Sequence, residues 1–303
     1  VRLEGIIPTN NYPIDRLISF NGSFVLLEVY STYISFKETQ MNQKSILITG
    51  CSTGIGFDAA KTLHERGYQV FASARKQADV DALTTEGLNA LLLDVCCEKS
   101  ISNALDKILI TTGGTLDYFF NNGAYGQPGA IEDLPTEVLR QQFETNVFGW
   151  HQLTKQVLKV MRNQEHGRIV QNSSVLGFVC MPYRGAYNAS KFAIEGLTDT
   201  LRLELIGSNI KVILLQPGPI DTQFRPNALA AFKQNIDWKN SVHATKYQKQ
   251  IQRLASKEPA SGFTLPSSAV TSCLLHALES KKPKARYRIT FPTKLFAVLK
   301  RIL

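Results

Sequence analysis

Short apolar, β-branched runs alternate with stretches of helical periodicity along most of this 303-residue chain. Runs at 44–49, 68–73, 89–93, 116–121, 168–173, 211–216 and 285–290 predict strands; apolar spacing at 55–66, 77–86, 98–110, 136–162, 187–206 and 267–279 predicts helices. Strands that alternate with helices imply a parallel sheet covered on both faces. The expected fold class is therefore α/β, a doubly wound sheet of about seven strands in one domain over 41–303.

Three segments fall outside that rhythm. Residues 1–40 read as an extension, either disordered or upstream of a true start at Met41. Within it, 17–36 is apolar, but Asn21 and Glu28 interrupt it, and an acid at mid-span costs about 2.5 kcal/mol or more in a membrane. The stretch 223–265 is long for a connection and carries Phe224, Phe232, Trp238, Tyr247 and Phe263, so it is expected to be a lid with an aromatic pocket for a hydrophobic carbonyl or alcohol. His243 within it is expected at the surface. At the end, 291–303 forms an amphipathic helix, with Leu295, Val298, Leu299 and Ile302 opposite Lys294, Lys300 and Arg301. That stripe can cover the substrate cleft, meet a neighbouring subunit, or lie on an anionic membrane surface.

Charge sharpens this division. The net charge is +9, but residues 281–303 carry eight Lys/Arg and no acid while 41–280 carry 23 basic against 21 acidic residues. Basicity confined to a tail does not call for nucleic acid. Five cysteines without a Cys-x-x-Cys spacing argue against a disulfide framework or a metal site and are expected as buried or half-buried thiols in a reducing cytoplasm.

Two motifs carry chemistry. Between the first strand and first helix lies Thr49-Gly50-Cys51-Ser52-Thr53-Gly54-Ile55-Gly56, where Gly50 permits a tight turn, Gly54 lets backbone approach a pyrophosphate and Gly56 lets helix and strand pack closely. Further on, Tyr187 stands four residues before Lys191, with Ser174 thirteen residues upstream. Residues i and i+4 share a helix face, so the ammonium can sit beside the phenol. Bringing a tyrosine from about pH 10 to neutrality takes roughly 4 kcal/mol, about what one charge at ~4 Å supplies at an effective dielectric of ~20. Ser174 adds a hydroxyl to hold a carbonyl oxygen. The decoy Tyr33/Lys37 lacks a hydroxyl thirteen residues upstream, where Phe20 stands.

Taken together, 41–303 resembles the short-chain dehydrogenases/reductases. The glycine loop matches that family's cofactor loop, Tyr187-x-x-x-Lys191 its catalytic pair, Ser174 its serine and Asn146 its active-site asparagine; Leu93-Asp94-Val95 resembles its adenine-contacting segment and Pro217-Gly218-Pro219-Ile220-Asp221-Thr222 its nicotinamide-side turn. Cys51-Ser52, 71–75 and 282–287 look closest to hydroxysteroid and retinol dehydrogenases and bacterial aldehyde-reducing relatives. The resemblance implies a Rossmann fold. It also implies hydride transfer between a nicotinamide and a carbonyl or alcohol, with Tyr187 as acid/base, Lys191 lowering its pKa and holding the ribose, Ser174 orienting the oxygen and Asn146 supporting a proton-relay water. The implied cofactor residues are Gly50, Ser52, Thr53, Gly54, Ile55, Gly56, Arg75, Asp94, Val95, Asn122, Gly123, Tyr187, Lys191, Pro217, Gly218, Ile220 and Thr222. The helices at 136–162 and 187–206 correspond to the family's subunit contact, which implies a homodimer or homotetramer. A dinucleotide-binding sensor of the same fold is the alternative, but a pure binder needs no Tyr187.

Two details refine the expectation. The second strand ends Ala74-Arg75, where an NAD enzyme would present an acid to the ribose 2′-hydroxyl; Arg75, with Ser52, suits a 2′-phosphate instead, so NADP is favoured over NAD. The family's Asn-Asn-Ala-Gly reads Asn121-Asn122-Gly123-Ala124 here, so Ala124 falls where a glycine's positive φ or close approach is expected.

Overall fold

The computed structural model describes residues 43–302 apart from 257 and 260. The extension at 1–40 lies outside the described residues.

Seven strands form one parallel sheet: β1 (Ser45–Ile48), β2 (Gln69–Ala74), β3 (Asn89–Leu92), β4 (Tyr118–Asn121), β5 (His166–Asn172), β6 (Asn209–Pro217) and β7 (Arg286–Ile289), in the order β3-β2-β1-β4-β5-β6-β7. Because side chains alternate along a strand, the apolar residues 46–48 of β1 feed two cores. Ile46 and Ile48 pack with Ala59, Leu63, Val270 and Leu274 on one face, whereas Leu47 packs with Ile101, Leu153 and Val157 on the other. Every residue of β1 and β2 is buried, as expected for a sheet with both faces covered.

The helices that cover it are α1 (Gly54–Glu65), α2 (Gln77–Thr85), α3 (Glu98–Thr112), α4 (Thr136–Phe143), α5 (Trp150–Asn163), α6 (Gly185–Glu204), α7 (Phe224–Asn235), α8 (Ala244–Ala255), α9 (Ser268–Glu279) and α10 (Phe291–Ile302). All seven strands expected from the pattern are present within a residue or two. Two helical expectations change. The segment 136–162 is not one helix, because a wide π turn over Glu144–Gly149 separates α4 from α5. The 223–265 segment is not an open loop, since it contains α7 and α8, which pack on each other through Phe232, Ile236 and Tyr247.

The strand order reverses direction between β1 and β4, which leave the sheet in opposite senses of winding. The crevice beyond their carboxyl ends is where ligands bind in open parallel sheets. Among the described residues, no helix is long and apolar enough to cross a membrane.

Candidate active site

The glycine loop closes the end of β1 against the end of β4. Gly50 has φ +70°, and a Cβ on it would lie 2.6 Å from the Cα of Gly123. A Cβ on Gly56 would overlap the Gly50 carbonyl oxygen and come within 2.7 Å of Asn122 Nδ2. Asn122 and Gly123 donate their backbone N–H groups to Thr49 Oγ1 at 2.8 and 2.9 Å, and Asn122 Nδ2 donates to the Thr49 carbonyl at 2.9 Å. The two strand ends are thus one hydrogen-bonded unit. Ser52 and Thr53 are exposed, and Thr53, at the N-cap of α1, makes no side-chain cap while the first turn holds no acid. The N–H groups of that turn and its positive dipole end are left uncapped for an anion. These features fit a dinucleotide pyrophosphate.

The exchanged pair behaves differently from the expectation. Gly123 makes the close approach to Gly50, while Ala124 packs beside Trp150, Ile194 and Leu214 and has no positive φ. No glycine is required at 124, so the exchange stores no strain there.

Arg75 lies just past β2, exposed, and none of the ion pairs among the described residues engages it. Asp94 follows β3, its carboxylate accepting from Cys96 N at 3.0 Å. The Val95 carbonyl lies so close to Gly149 that a Cβ there would come within 2.6 Å. On the far side of the crevice, Pro217 ends β6, and Gly218 donates its N–H to the Ile289 carbonyl at 3.0 Å. Ile220 bridges Leu265. A Cβ on Gly54 would lie 3.0 Å from Thr222 Cγ2, which brings that turn over the glycine loop next to Ile55.

The proposed catalytic side chains converge between β5 and α6. Ser174 caps a short turn, its Oγ accepting from Leu176 N at 3.1 Å. Asn146 sits buried in the π turn; its Nδ2 donates to the Tyr125 carbonyl at 2.9 Å and to Ser190 Oγ at 3.2 Å. The extra backbone carbonyls and N–H groups of a π turn are how such sites are commonly re-aimed. Ser190 in turn donates to the Tyr187 carbonyl at 2.8 Å.

Tyr187 and Lys191 share a face of α6, but the ammonium does not lie on the phenol. Lys191 Nζ donates to the Asn172 carbonyl at 2.7 Å, lies 4.2 Å from the Trp150 ring centroid and 5.6 Å from that of Tyr187. Burial pulls the Lys191 ammonium down to about 7, against the opposing charge of Glu195. Burial pushes the Tyr187 phenol up to about 12, with the Ser174 hydrogen bond and the charge of Arg184 pulling it back. The charge of Arg184 bears on the phenol, and the Lys191 ammonium lies 5.6 Å from its ring centroid. Desolvation outweighs the attraction that the i, i+4 spacing suggests.

The substrate side differs from its expectation. Phe232 and Tyr247 are fully buried and build the lid's own core, whereas Phe224 and Phe263 remain exposed. Phe224 packs edge-on to Tyr187 at 5.2 Å between centroids, and only a glycine at 126 leaves room for it. His243 is half-buried, its Nε2 2.6 Å from Glu132 Oε1. Three thiols, Cys96, Cys97 and Cys180, are exposed, whereas all five are expected buried or half-buried. In α10, the buried residues are Thr293 and Ala297, while Leu295, Val298 and Ile302 remain exposed. Sequence reasoning missed Trp150, Asn172 and Arg184. Trp150 was findable as the residue four beyond Asn146, and Arg184 as the cation three before Tyr187.

The chain's relatives agree with this geometry. Residues 44–231 match the family model for short chain dehydrogenase. The oxidoreductase YbbO of Escherichia coli (strain K12) is 40% identical over 261 residues, covering 86% of this chain and 91% of that protein. Retinol dehydrogenase 8 of Bos taurus is 32% identical over 255 residues, covering 81% of each. A short chain dehydrogenase/reductase from Burkholderia phymatum in complex with NAD superposes with a TM-score of 0.71 at 23% identity, over 87% of this chain and 94% of that one. With the family model spanning most of the sheet and its relatives matching nearly end to end, the chain belongs to the short-chain dehydrogenase/reductase family and is an NAD(P)-dependent oxidoreductase.

Proposed function

We propose that this enzyme uses NADP to interconvert a hydrophobic aldehyde or ketone and its alcohol, with Tyr187 as the acid/base. The observation that carries this reading is the buried Tyr187–Ser174 pair one helical turn from Lys191, an amine that can exchange a proton near neutral pH. Ser174 holds the substrate oxygen in line with the phenol. Tyr187 gives a proton to that oxygen in reduction and takes it back in oxidation. Lys191, fixed by the Asn172 carbonyl and the Trp150 face, holds the ribose and refills the phenol, and Asn146 anchors the relay through Ser190. The bound coenzyme supplies the hydride.

In this reading Gly50, Ser52, Thr53, Gly54, Ile55 and Gly56 cradle the pyrophosphate, and Asp94 and Val95 face the adenine. Asn122 and Gly123 carry the adenosine side. Pro217, Gly218, Ile220 and Thr222 border the nicotinamide. Arg75, exposed and with no ion-pair partner among the described residues, meets the 2′-phosphate. Residues 41–303 are the catalytic domain. Apolar exposure on α6 and its neighbour, at Leu197 (46%) and Phe148 (53%), supports a homodimer or homotetramer through these helices. The exposed apolar and basic faces of α10 support peripheral membrane contact, and the free cysteines a cytoplasmic setting.

Oxidation of NADPH and NADH against a panel of hydrophobic aldehydes and ketones tests the proposal. NADPH should give the higher kcat/KM, and Arg75→Ala should weaken NADPH about ten- to a hundredfold while sparing NADH, the range for hydrogen bonds to a charged group. Equal kcat/KM for both coenzymes, or equal loss of both, would make Arg75 a surface residue and the NADP assignment wrong.

A further inference from the structure

A recess of about 380 Å³ opens between α6, β7 and α10, beside the turn that follows Ser174. That is many times the ~30 Å³ of one water and within the range of small-molecule sites, about 300–1,000 Å³. One wall leads into a closed charge network. Glu195, buried on α6, accepts from Gln216 Nε2 at 2.9 Å and from Arg286 Nε at 3.1 Å. Arg286 also pairs with Asp199, whose other oxygen takes Arg202 at 2.5 Å. Two carboxylates and two guanidiniums cancel there.

The rest of the lining is not closed. Arg288 Nε and Gln216 Oε1 are both buried, and neither has a hydrogen-bond partner. Gln216 is 2% exposed. Its amide has one orientation, because the Glu195 carboxylate can only accept; the N–H goes to Glu195 and the oxygen is left for another donor. Lys300 Nζ donates to the Phe178 carbonyl at 2.7 Å and lies 5.2 Å from the Phe192 ring centroid, both neutral groups. Arg288, Lys300 and Arg301 all line the recess, and none enters an ion pair among the described residues. Buried polar groups are ordinarily paired, so a recess with three uncancelled cations, an unmet donor and an unmet acceptor is an incomplete site.

We propose that this recess binds a phosphate group that carries a neighbouring hydroxyl, the chemistry of a glycerol phosphate. Arg288, Lys300 and Arg301 meet the phosphate, whose charge is spread over several oxygens, and the hydroxyl donates to Gln216 Oε1. Two sources carry that chemistry, the headgroup of an anionic glycerophospholipid and a free glycerol phosphate ester. The outward face of α10 favours the lipid, since Leu295, Val298 and Ile302 stay exposed on the helix whose Ala297, Lys300 and Arg301 line the recess. In that form the proposal rests on the peripheral membrane contact read above and gives it a headgroup.

The test has two arms, both on the full chain with excess NADPH, so that the glycine loop is not the phosphate site being measured. In the first, calorimetry compares glycerol 3-phosphate with inorganic phosphate, glycerate and glycerol. In the second, flotation compares vesicles of phosphatidylglycerol in phosphatidylcholine with phosphatidylcholine alone. Arg288→Gln should weaken binding of glycerol 3-phosphate, of phosphatidylglycerol vesicles, or of both by about tenfold or more, the loss expected for hydrogen bonds to a charged group. Lys294→Gln removes an exposed charge of α10 outside the recess and should leave glycerol 3-phosphate binding unchanged. Arg301→Gln, at an exposed position, carries the comparison if melting curves show Arg288→Gln unfolded. Recess-dependent binding of glycerol 3-phosphate without vesicle capture supports the site, assigns it to the free ester and ends the membrane reading. Vesicle capture that survives Arg288→Gln and Arg301→Gln but is lost in Val298→Glu overturns the site and leaves membrane contact standing. Equal losses from Lys294→Gln and Arg288→Gln, or glycerate or inorganic phosphate binding as tightly as glycerol 3-phosphate, also overturn it. Binding in neither arm overturns both.

Discussion

The two sides of the cleft are built on different principles. On the coenzyme side, backbone meets backbone: Gly50 against Gly123, Gly56 against the Gly50 carbonyl, and Thr49 Oγ1 receiving two N–H groups from the end of β4. On the substrate side, side chain meets side chain: Phe224 on Tyr187, Tyr183 on Tyr247, and Ser241 and Tyr247 on Asp133. A backbone contact of the first kind tolerates one residue type at each position, whereas an aromatic cluster can be repacked from many. The first arrangement fixes a ligand common to a whole family. The second leaves room for each member's own substrate.

The largest effect should come from breaking the backbone side. Gly56→Ala places a methyl group on the Gly50 carbonyl and Asn122, neither of which can yield without opening the loop. Overpacking of this kind costs about 1–3 kcal/mol. Coenzyme affinity, followed by nicotinamide fluorescence, should fall about a hundredfold or the protein should melt markedly lower. An unchanged dissociation constant and melting temperature would show that the loop is not closed in this way.

Next in size is an effect of pH. Lys191 is drawn from its ordinary 10.5 to about 7 by burial, so the unfolded chain holds the proton more tightly than the native one between those values. Native stability gained from this group should therefore rise as pH increases from about 7 towards 10. Melting curves of the coenzyme-free protein should show wild type gaining on Lys191→Met across that window. A constant gap between the two would mean that Lys191 titrates normally.

The smallest effect is its mirror image on an unconstrained glycine. Gly196, exposed within α6, has nothing within 4 Å of a Cβ built on it. Gly196→Ala should stabilise the chain by up to about 1 kcal/mol through helix propensity alone. A drop in melting temperature would place another subunit's backbone against that position.

The same contrast governs what was legible in the sequence. All seven strands, the glycine loop and the Ser174, Tyr187, Lys191 series could be read because short continuous apolar runs and fixed spacings leave a local trace. The break at Glu144–Gly149 could not, since a π turn keeps the apolar periodicity of the helices it joins. The amphipathic pattern of α7 is weak, so the packing of Phe232 and Tyr247 fixes its order, whereas α8 carries a strong amphipathic pattern of its own. Where the Lys191 ammonium rests has a related origin. Spacing on a helix face gives proximity to Tyr187, but the Trp150 ring and the Asn172 carbonyl, distant in sequence, decide where the ammonium rests. Ala124 was expected to carry a glycine's duty that Gly123 performs, because only the three-dimensional approach to Gly50 reveals which of the two is crowded.

The most direct test of the account is single-turnover hydride transfer by Tyr187→Phe with saturating NADPH and a hydrophobic aldehyde. The substitution removes one hydroxyl from a ring that otherwise keeps its contact with Phe224, so coenzyme affinity should stay within about twofold while the rate falls at least a hundredfold, the loss expected for a general acid. A variant that binds NADPH normally and retains more than about a hundredth of the wild-type rate would contradict the assignment of Tyr187 as the proton donor.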